Sequence, residues 1–419
     1  LSQLFNAADI VVVGRWAGDN SLAAVGSTGM ITFLILGFFM GMTAGFSVPI
    51  SQCYGAQDDV GVRKAVGSAA LLSVFFTALI TALSVGGMNW LLTLLNTPEE
   101  IFADAYTYIV LLCGGLATQV LYNMLSSILR ALGNSKIPLY FLILSAGMNI
   151  ILDLVFILVF RMGVAGAAWA TVLSQLLSAA LCTLVGLRKY PVLRTRRADF
   201  AGSRIAAARH LRVGFLMGFQ MSVMCIGQLV VQACVNSLGT AAVAGYTAAT
   251  KVDQLSVLVN TAYQIAISGY VAQNYGAHRF DRIRAGVRAS LVQIESANVL
   301  MCEVMLLARR AIVSLFIDAP TEEILSSAGG YLTVVAPFYV VLGLLIVYRS
   351  TVQSMGNSTA PFLACVVELV MRIGGALGLS RVLGYTGVCF SSPLAWIGAT
   401  ALLIPFYIRE IRKGKAIAA

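Results

Sequence analysis

The chain has 419 residues, of which 59% are hydrophobic and only 11% charged, whereas a soluble domain carries roughly 25% charged residues to cover its surface. That deficit excludes an ordinary soluble enzyme or binding module, because repeated apolar runs of about 20 residues match a bilayer core of roughly 30 Å. A net charge of +10 would suit nucleic acid if it formed one patch, but the basic residues are dispersed over alternate loops, so no nucleic-acid partner is expected.

In chain order, apolar helical segments are predicted at 1–17, 28–50, 65–86, 105–130, 138–160, 163–187, 213–236, 246–271, 287–308, 327–353, 361–382 and 388–408. They define an all-α membrane protein with twelve transmembrane helices in two pseudo-symmetric six-helix lobes. The predicted organisation is an N-terminal lobe at 1–190, a basic linker at 191–212, a C-terminal lobe at 213–408 and a basic tail at 409–419. The chain opens at Leu1 inside an apolar run without a methionine, so its native start is expected upstream. Eight cysteines are scattered singly with no Cys-x-x-Cys spacing, as small apolar residues rather than a disulfide or metal framework. No cofactor is implied.

The loops alternate in charge. Basic residues gather at Arg63 and Lys64, at Arg130 and Lys136, from Arg188 to Arg212, from Arg279 to Arg288, and from Arg409 to Lys415. The acids Asp19, Glu99, Glu100, Asp104, Asp318, Glu322 and Glu323 occupy the loops between. By the positive-inside rule, the basic loops, the inter-lobe linker and the C-terminus face the cytoplasm, as in a multi-pass protein of the cell inner membrane.

The two halves are copies. Gln52, Tyr54-Gly55-Ala56, Arg63 and Lys64 return as Gln273, Tyr275-Gly276-Ala277, Arg282 and Arg284, with Tyr54 and Tyr275 221 residues apart. Gly133-Asn134-Ser135-Lys136-Ile137-Pro138 returns as Gly356-Asn357-Ser358-Thr359-Ala360-Pro361, an offset of 223, and Gly163 with Gly166 returns as Gly384 with Gly387. With six spans each, both halves enter the membrane from the same side. Parallel repeats of this kind pack around a central cleft that rocking exposes to each side in turn. The Gly-Ala and Gly-Asn-Ser signatures read as turn and cap chemistry rather than as a reaction centre. A channel is disfavoured because no filter-like loop appears.

Ionisable residues at membrane depth are expensive, so each is a functional candidate. Asp9 lies in Ala7-Ala8-Asp9-Ile10-Val11 and Asp153 in Asn149-Ile150-Ile151-Leu152-Asp153, neither with a Lys or Arg within a helical turn. Asn149 and Asp153 are spaced i, i+4 on one helix face, and Ala167 and Thr171 repeat that spacing on the next span. Carboxylates, an amide oxygen, a hydroxyl and a backbone carbonyl suit a hard cation such as Na⁺. Two neighbouring carboxylates also suit H⁺, because like charges raise one pKa.

At the repeat offset Asp9 falls on Val230, Asn149 on Val370, Asp153 on Gly374 and Thr171 on Ser392, so the second lobe lacks these acids. Its polar residues are others. Glu368 and Arg372, i, i+4, are expected to neutralise each other, and Lys251 and Asp253 to reach toward the interface. Gln220, Gln228, Gln264 and Glu295 are the substrate-cleft candidates, with Glu295 as the one to contact a cationic substrate.

In the stretch Phe5 to Gly26 with Asp9, Gly14-Arg15, Gly18 and Leu22-Ala23-Ala24-Val25-Gly26, in Gln273-Asn274-Tyr275-Gly276-Ala277, in the paired Gly-Asn-Ser motifs and in Gly163-Val164-Ala165-Gly166-Ala167-Ala168 to Thr171, the chain resembles the multidrug and toxic compound extrusion (MATE) family over nearly its whole length. The resemblance implies a twelve-helix, two-lobed exporter of amphipathic, often cationic compounds in exchange for Na⁺ or H⁺. It assigns Asp9, Asn149, Asp153, the Ala167 carbonyl and Thr171 to the prokaryotic first-lobe cation site. One departure stands out. Where members with an acidic second lobe carry a glutamate on the seventh span, this chain has Met224 or Gln228, which places it nearer the branch that couples through the first lobe. The expected partners are small amphipathic or cationic molecules and membrane lipid, with the chain as a monomer.

The runner-up, a lipid-linked oligosaccharide flippase, needs several cations facing a pyrophosphate, and only Lys251, Arg349 and Arg372 lie near membrane depth. An intramembrane enzyme is more distant. His210 and His278, the only histidines, are flanked by basic residues and no nucleophile motif accompanies them.

Overall fold

The structure, a computed structural model, describes residues 12–16, 18–95, 97–195, 197–200, 204–314 and 321–418. All regular elements among the described residues are helical. The principal ones are α1 (Asp19–Gly55), α2 (Asp59–Leu94), α3 (Glu99–Gly114), α4 (Leu116–Ala131), α5 (Lys136–Leu154), α6 (Gly163–Lys189), α7 (Arg204–Asn236), α8 (Thr240–Gly276), α9 (Phe280–Leu307), α10 (Glu322–Val335), α11 (Tyr339–Ser354), α12 (Thr359–Leu383) and α13 (Ser391–Ala418). Among the described residues ten helical stretches are long and apolar enough to cross a bilayer, and α3 with α4 adds a span bent by 45°. These are eleven of the twelve expected segments. The first, 1–17, falls largely outside the described residues, with helix at 12–16.

The chain divides into two compact units, Leu1–Gly218 and Phe219–Ala419, with the division inside α7. In the first, Phe39, Met42, Phe46 and Ile50 of α1 pack on Val62, Ala65 and Ala69 of α2 and on Leu116, Val120, Met124 and Ile128 of α4. The start of α7 lies backbone to backbone on α1. A Cβ at Gly45 would come 2.5 Å from the Gly214 Cα, and one at Gly218 would come 2.9 Å from the Phe38 carbonyl oxygen. Gly41-x-x-x-Gly45 thus meets Gly214-x-x-x-Gly218, the small-residue stripe that substitutes for the hydrophobic effect between helices in lipid. In the second unit Ala248, Ala249 and Val252 of α8 pack with Ala328, Leu332 and Val335 of α10, Tyr339 of α11 and Trp396, Ala399 and Leu403 of α13.

The duplication extends to backbone conformation. Apart from Arg161, positive φ among the described residues falls in pairs, at Gly18 and Gly239, at Gln57 and His278, at Gly133 and Gly356, and at Gly163 and Gly384. Each pair keeps the repeat offset. After α1, the Asp58 N–H donates to the Cys53 carbonyl and the Gln57 N–H to the Tyr54 carbonyl, both at 3.0 Å. After α8, Arg279 and His278 donate in the same way to Asn274 and Tyr275 at 2.8 and 3.1 Å. Both ends are Schellman caps with a left-handed residue just past the helix, where glycine is usual. The Gly-Asn-Ser motif closes α4 and α11 likewise and opens the next helix. The Asn134 side chain accepts the Lys136 and Ile137 N–H groups at 3.1 Å, and Asn357 accepts that of Ala360 at 3.2 Å. The motifs are cap chemistry, as their residue types imply.

The described residues of the stretch 191–212 include helical turns. It contains a 3₁₀ turn at Pro191–Leu193, a helical turn at Arg197–Phe200 and the first residues of α7. It docks on the first unit: Arg63 and Asp199 approach to 3.8 Å, Arg209 donates to the Gln52 side chain, and His210 stacks edge-on against Phe46. Gln52, of the repeated Gln-x-Tyr-Gly-Ala motif, is therefore a docking residue.

Candidate functional site: buried polar seams in each unit

Along α5 the buried residues are Pro138, Ser145, Asn149 and Asp153, while Ile143, Leu144, Ile150 and Ile151 are exposed. This is the inverse of a soluble helix, since lipid accepts the apolar face and only protein can satisfy the polar one. The spacing 145, 149, 153 draws one polar line down the helix. It faces α6, whose buried residues include Gly166, Ala167, Ala168, Ala170, Thr171, Ser174 and Ser178, small enough for close approach. Ser145 donates to the Ser174 carbonyl at 2.8 Å and Ser178 to the Phe141 carbonyl at 2.7 Å, stitching the two helices below the site.

Asn149 donates through Nδ2 to the Thr171 hydroxyl at 3.4 Å. Asn149 and Asp153 are both 0% exposed, as is Ala167. With its amide hydrogens turned to Thr171, Asn149 leaves its Oδ1 buried and without a hydrogen-bond donor among the described residues. An orphaned buried acceptor is costly in apolar surroundings, and it is the kind of atom a cation or proton donor would satisfy. Immediately after Asp153 the helix widens into a π turn, Val155–Val159, a feature frequent at functional sites. Asp9, the remaining expected ligand, lies outside the described residues.

In the second unit the four cleft candidates do not share one hydrogen-bonded cluster among the described residues. Gln228 is exposed and Gln264 half-buried. Gln220 is buried, and its backbone carbonyl accepts from Cys365 Sγ at 3.6 Å. Glu295 lies against α11, where a Cβ at Gly343 would be 2.6 Å from its Oε1. Its carboxylate oxygens are buried and accept no hydrogen bond among the described residues. One turn on, Asn298 donates to the Tyr339 carbonyl at 2.9 Å and exchanges hydrogen bonds with Asn260 at 2.9 and 3.3 Å.

The expectation that Asp253 reaches toward the interface is corrected. Its carboxylate accepts the hydroxyls of Tyr339 at 2.6 Å and Tyr331 at 3.4 Å, held within the unit because two phenols supply what water would have supplied; Lys251 is exposed. The expected Glu368 and Arg372 pair forms at 2.8 Å, and Arg349 adds a second guanidinium to Glu368 at 2.5 Å. Sequence reasoning missed Asn298, Tyr331 and Tyr339 as partners. The i, i+7 spacing of Asp253 and Asn260 and the i, i+3 spacing of Glu295 and Asn298 were the available signals.

A tandemly duplicated helical chain whose spans bury polar lines and expose apolar ones is a multi-pass membrane protein. The MatE family model matches residues 1–155 and 217–377, so the matched parts fall in both repeats. The chain belongs to the MatE family of multidrug and toxic compound extrusion transporters. It is similar to the "Probable multidrug resistance protein YpnP" of Bacillus subtilis (strain 168), 27% identical over 96% of this chain and 90% of that protein. It is also similar to the "Probable multidrug resistance protein YoeA" of the same strain, 28% identical over 97% and 90%. The crystal structure of MATE in the bent conformation shares the fold with a TM-score of 0.91 at 22% identity, over 100% of this chain and 92% of that one.

Proposed function

We propose that this chain is a cation-coupled antiporter of the cell inner membrane. It exports amphipathic or cationic compounds in exchange for Na⁺ or H⁺, with its basic loops and C-terminus in the cytoplasm. The relatives named as probable multidrug resistance proteins support the export of small molecules. The observation that carries the coupling is the buried Asn149, Asp153 and Thr171 group on two helices whose other faces carry exposed apolar residues.

In this reading Asp153, with Asp9, takes the coupling ion. The Asn149 Oδ1, the Thr171 hydroxyl and the Ala167 carbonyl complete its oxygen shell. Loading neutralises a buried carboxylate, and it shifts the population between outward-open and inward-open states by as much as the ion's affinity differs between them. Gln220, Gln228, Gln264 and Glu295 are the candidates for contact with the exported compound.

The test is efflux of ethidium from proteoliposomes under an imposed Na⁺ gradient and, separately, an imposed pH gradient. One gradient should drive export, and Asp153→Asn should abolish it while the protein still inserts. Undiminished efflux by that variant overturns the reading.

A further inference from the structure

Two guanidiniums in the second unit share one carboxylate. Glu368 accepts from Arg349 through one oxygen and from Arg372 through the other, at 2.5 and 2.8 Å, so both of its oxygens are engaged. Arg349 is 8% exposed and Arg372 6%. No second carboxylate lies within ion-pair distance of either arginine among the described residues. The triad therefore buries an excess of one positive charge, which a low-dielectric interior penalises unless a counter-charge arrives.

The hydrogen-bond inventory points the same way. Nε of Arg349, Nε of Arg372 and the side-chain amide nitrogen of Gln220 are buried with no acceptor among the described residues. All three are donors. Arginine has five N–H groups and no acceptor, so the orphaned atoms ask for lone pairs and negative charge rather than for a cation.

The elements bring these donors to one seam. Cys365, Glu368 and Arg372 share a face of α12, and that face runs along α7: Cys365 touches the Gln220 carbonyl, and seven residues further on Arg372 touches Gly227. A Cβ at Gly227 would stand 3.3 Å from the Arg372 Cδ and 3.4 Å from its Nη1. The arginine thus packs closely on this glycine, in the space a side chain there would take. The planar fork of arginine matches carboxylate and phosphate oxygens in pairs, and intramembrane charges mark substrate paths.

We infer that the Arg349–Glu368–Arg372 triad, with Gln220, receives an anionic group of the transported compound, a carboxylate or a phosphate. Substrates would then include anionic and zwitterionic amphiphiles beside cations. The inference rests on the transport reading, but its test is equilibrium binding without a gradient, so it stands or fails separately from ion coupling.

The purified chain in neutral detergent is titrated with fluorescein, an anion, and with rhodamine 6G, a cation on the same xanthene ring system, following fluorescence anisotropy. Fluorescein should bind, and Arg372→Gln and Arg349→Gln, eluting as a single species, should each weaken it by about tenfold. Rhodamine 6G affinity should change less than about twofold. For the wild-type chain, which needs no folding control, benzoate or inorganic phosphate should displace fluorescein and tetraethylammonium should not. The proposal is overturned if fluorescein does not bind or if the glutamine variants bind it unchanged. It is overturned equally if tetraethylammonium displaces fluorescein, or if phosphatidylglycerol alone does, which assigns the site to a lipid headgroup.

Discussion

Asn149 of α5 donates to the Thr171 hydroxyl of α6 at 3.4 Å while its own Oδ1 stays buried without a donor. One hydrogen bond thus orients the amide so that its oxygen is free to act as a ligand. Thr171→Ala removes that orientation and, in the proposed cation site, one oxygen of the shell, so gradient-driven efflux should fall by about tenfold or more. Stability should change by only about 1 kcal/mol, the net worth of one hydrogen bond. Transport by the variant in proteoliposomes, paired with its thermal midpoint in detergent, checks both numbers.

In the second unit the Tyr339 hydroxyl donates to Asp253 at 2.6 Å and that of Tyr331 at 3.4 Å. Tyr339→Phe should cost about 1–3 kcal/mol, because it strips the shorter bond from a half-buried carboxylate. Tyr331→Phe should cost less. Asp253→Asn in the Tyr339→Phe background should recover part of the loss by removing the charge. A double-mutant cycle on thermal unfolding reads the coupling, and additive losses would show that the carboxylate does not depend on these phenols.

Where α1 and α7 cross, Gly45 and Gly214 leave no room for a side chain. Gly45→Val should destabilise by about 1–3 kcal/mol through overpacking, because the obstacle is backbone and cannot rotate aside. Gly26→Val, where a Cβ meets nothing within 4 Å, is the control. Equal thermal midpoints for the two variants would contradict the close approach.

The left-handed residues Gln57 and His278 end α1 and α8 at positions where glycine is free of steric cost. Gln57→Gly and His278→Gly should each stabilise the chain by about 0.5–1 kcal/mol, the left-handed penalty less the added chain entropy of glycine. A rise in the thermal midpoint of about 1–4 °C is expected. A fall would mean that the side chains make contacts worth more than the backbone strain.

The apolar runs, their breaks and the 221-residue repeat were legible because lipid imposes a one-dimensional rule: a span must be long, apolar and hydrogen-bonded within itself. The line Asn149 to Asp153 and the i, i+4 pair Glu368 and Arg372 were legible too, since neighbours on one helix face follow from spacing alone. Arg349 on Glu368, Tyr339 on Asp253 and Asn298 on Asn260 were not, because each joins residues from different helices and no periodicity relates their positions.

By itself, then, the amino-acid order determined that this is a duplicated, all-helical membrane chain and named polar residues that lipid could not accommodate. Only the tertiary structure decided which of them face one another. Asn149 met its predicted neighbour, Asp253 turned inward to two phenols, and the second unit gathered two arginines around one acid. The physical reason is that a buried polar group is settled by its partners in space, and helix crossings, set here by glycines such as Gly45 and Gly214, choose those partners.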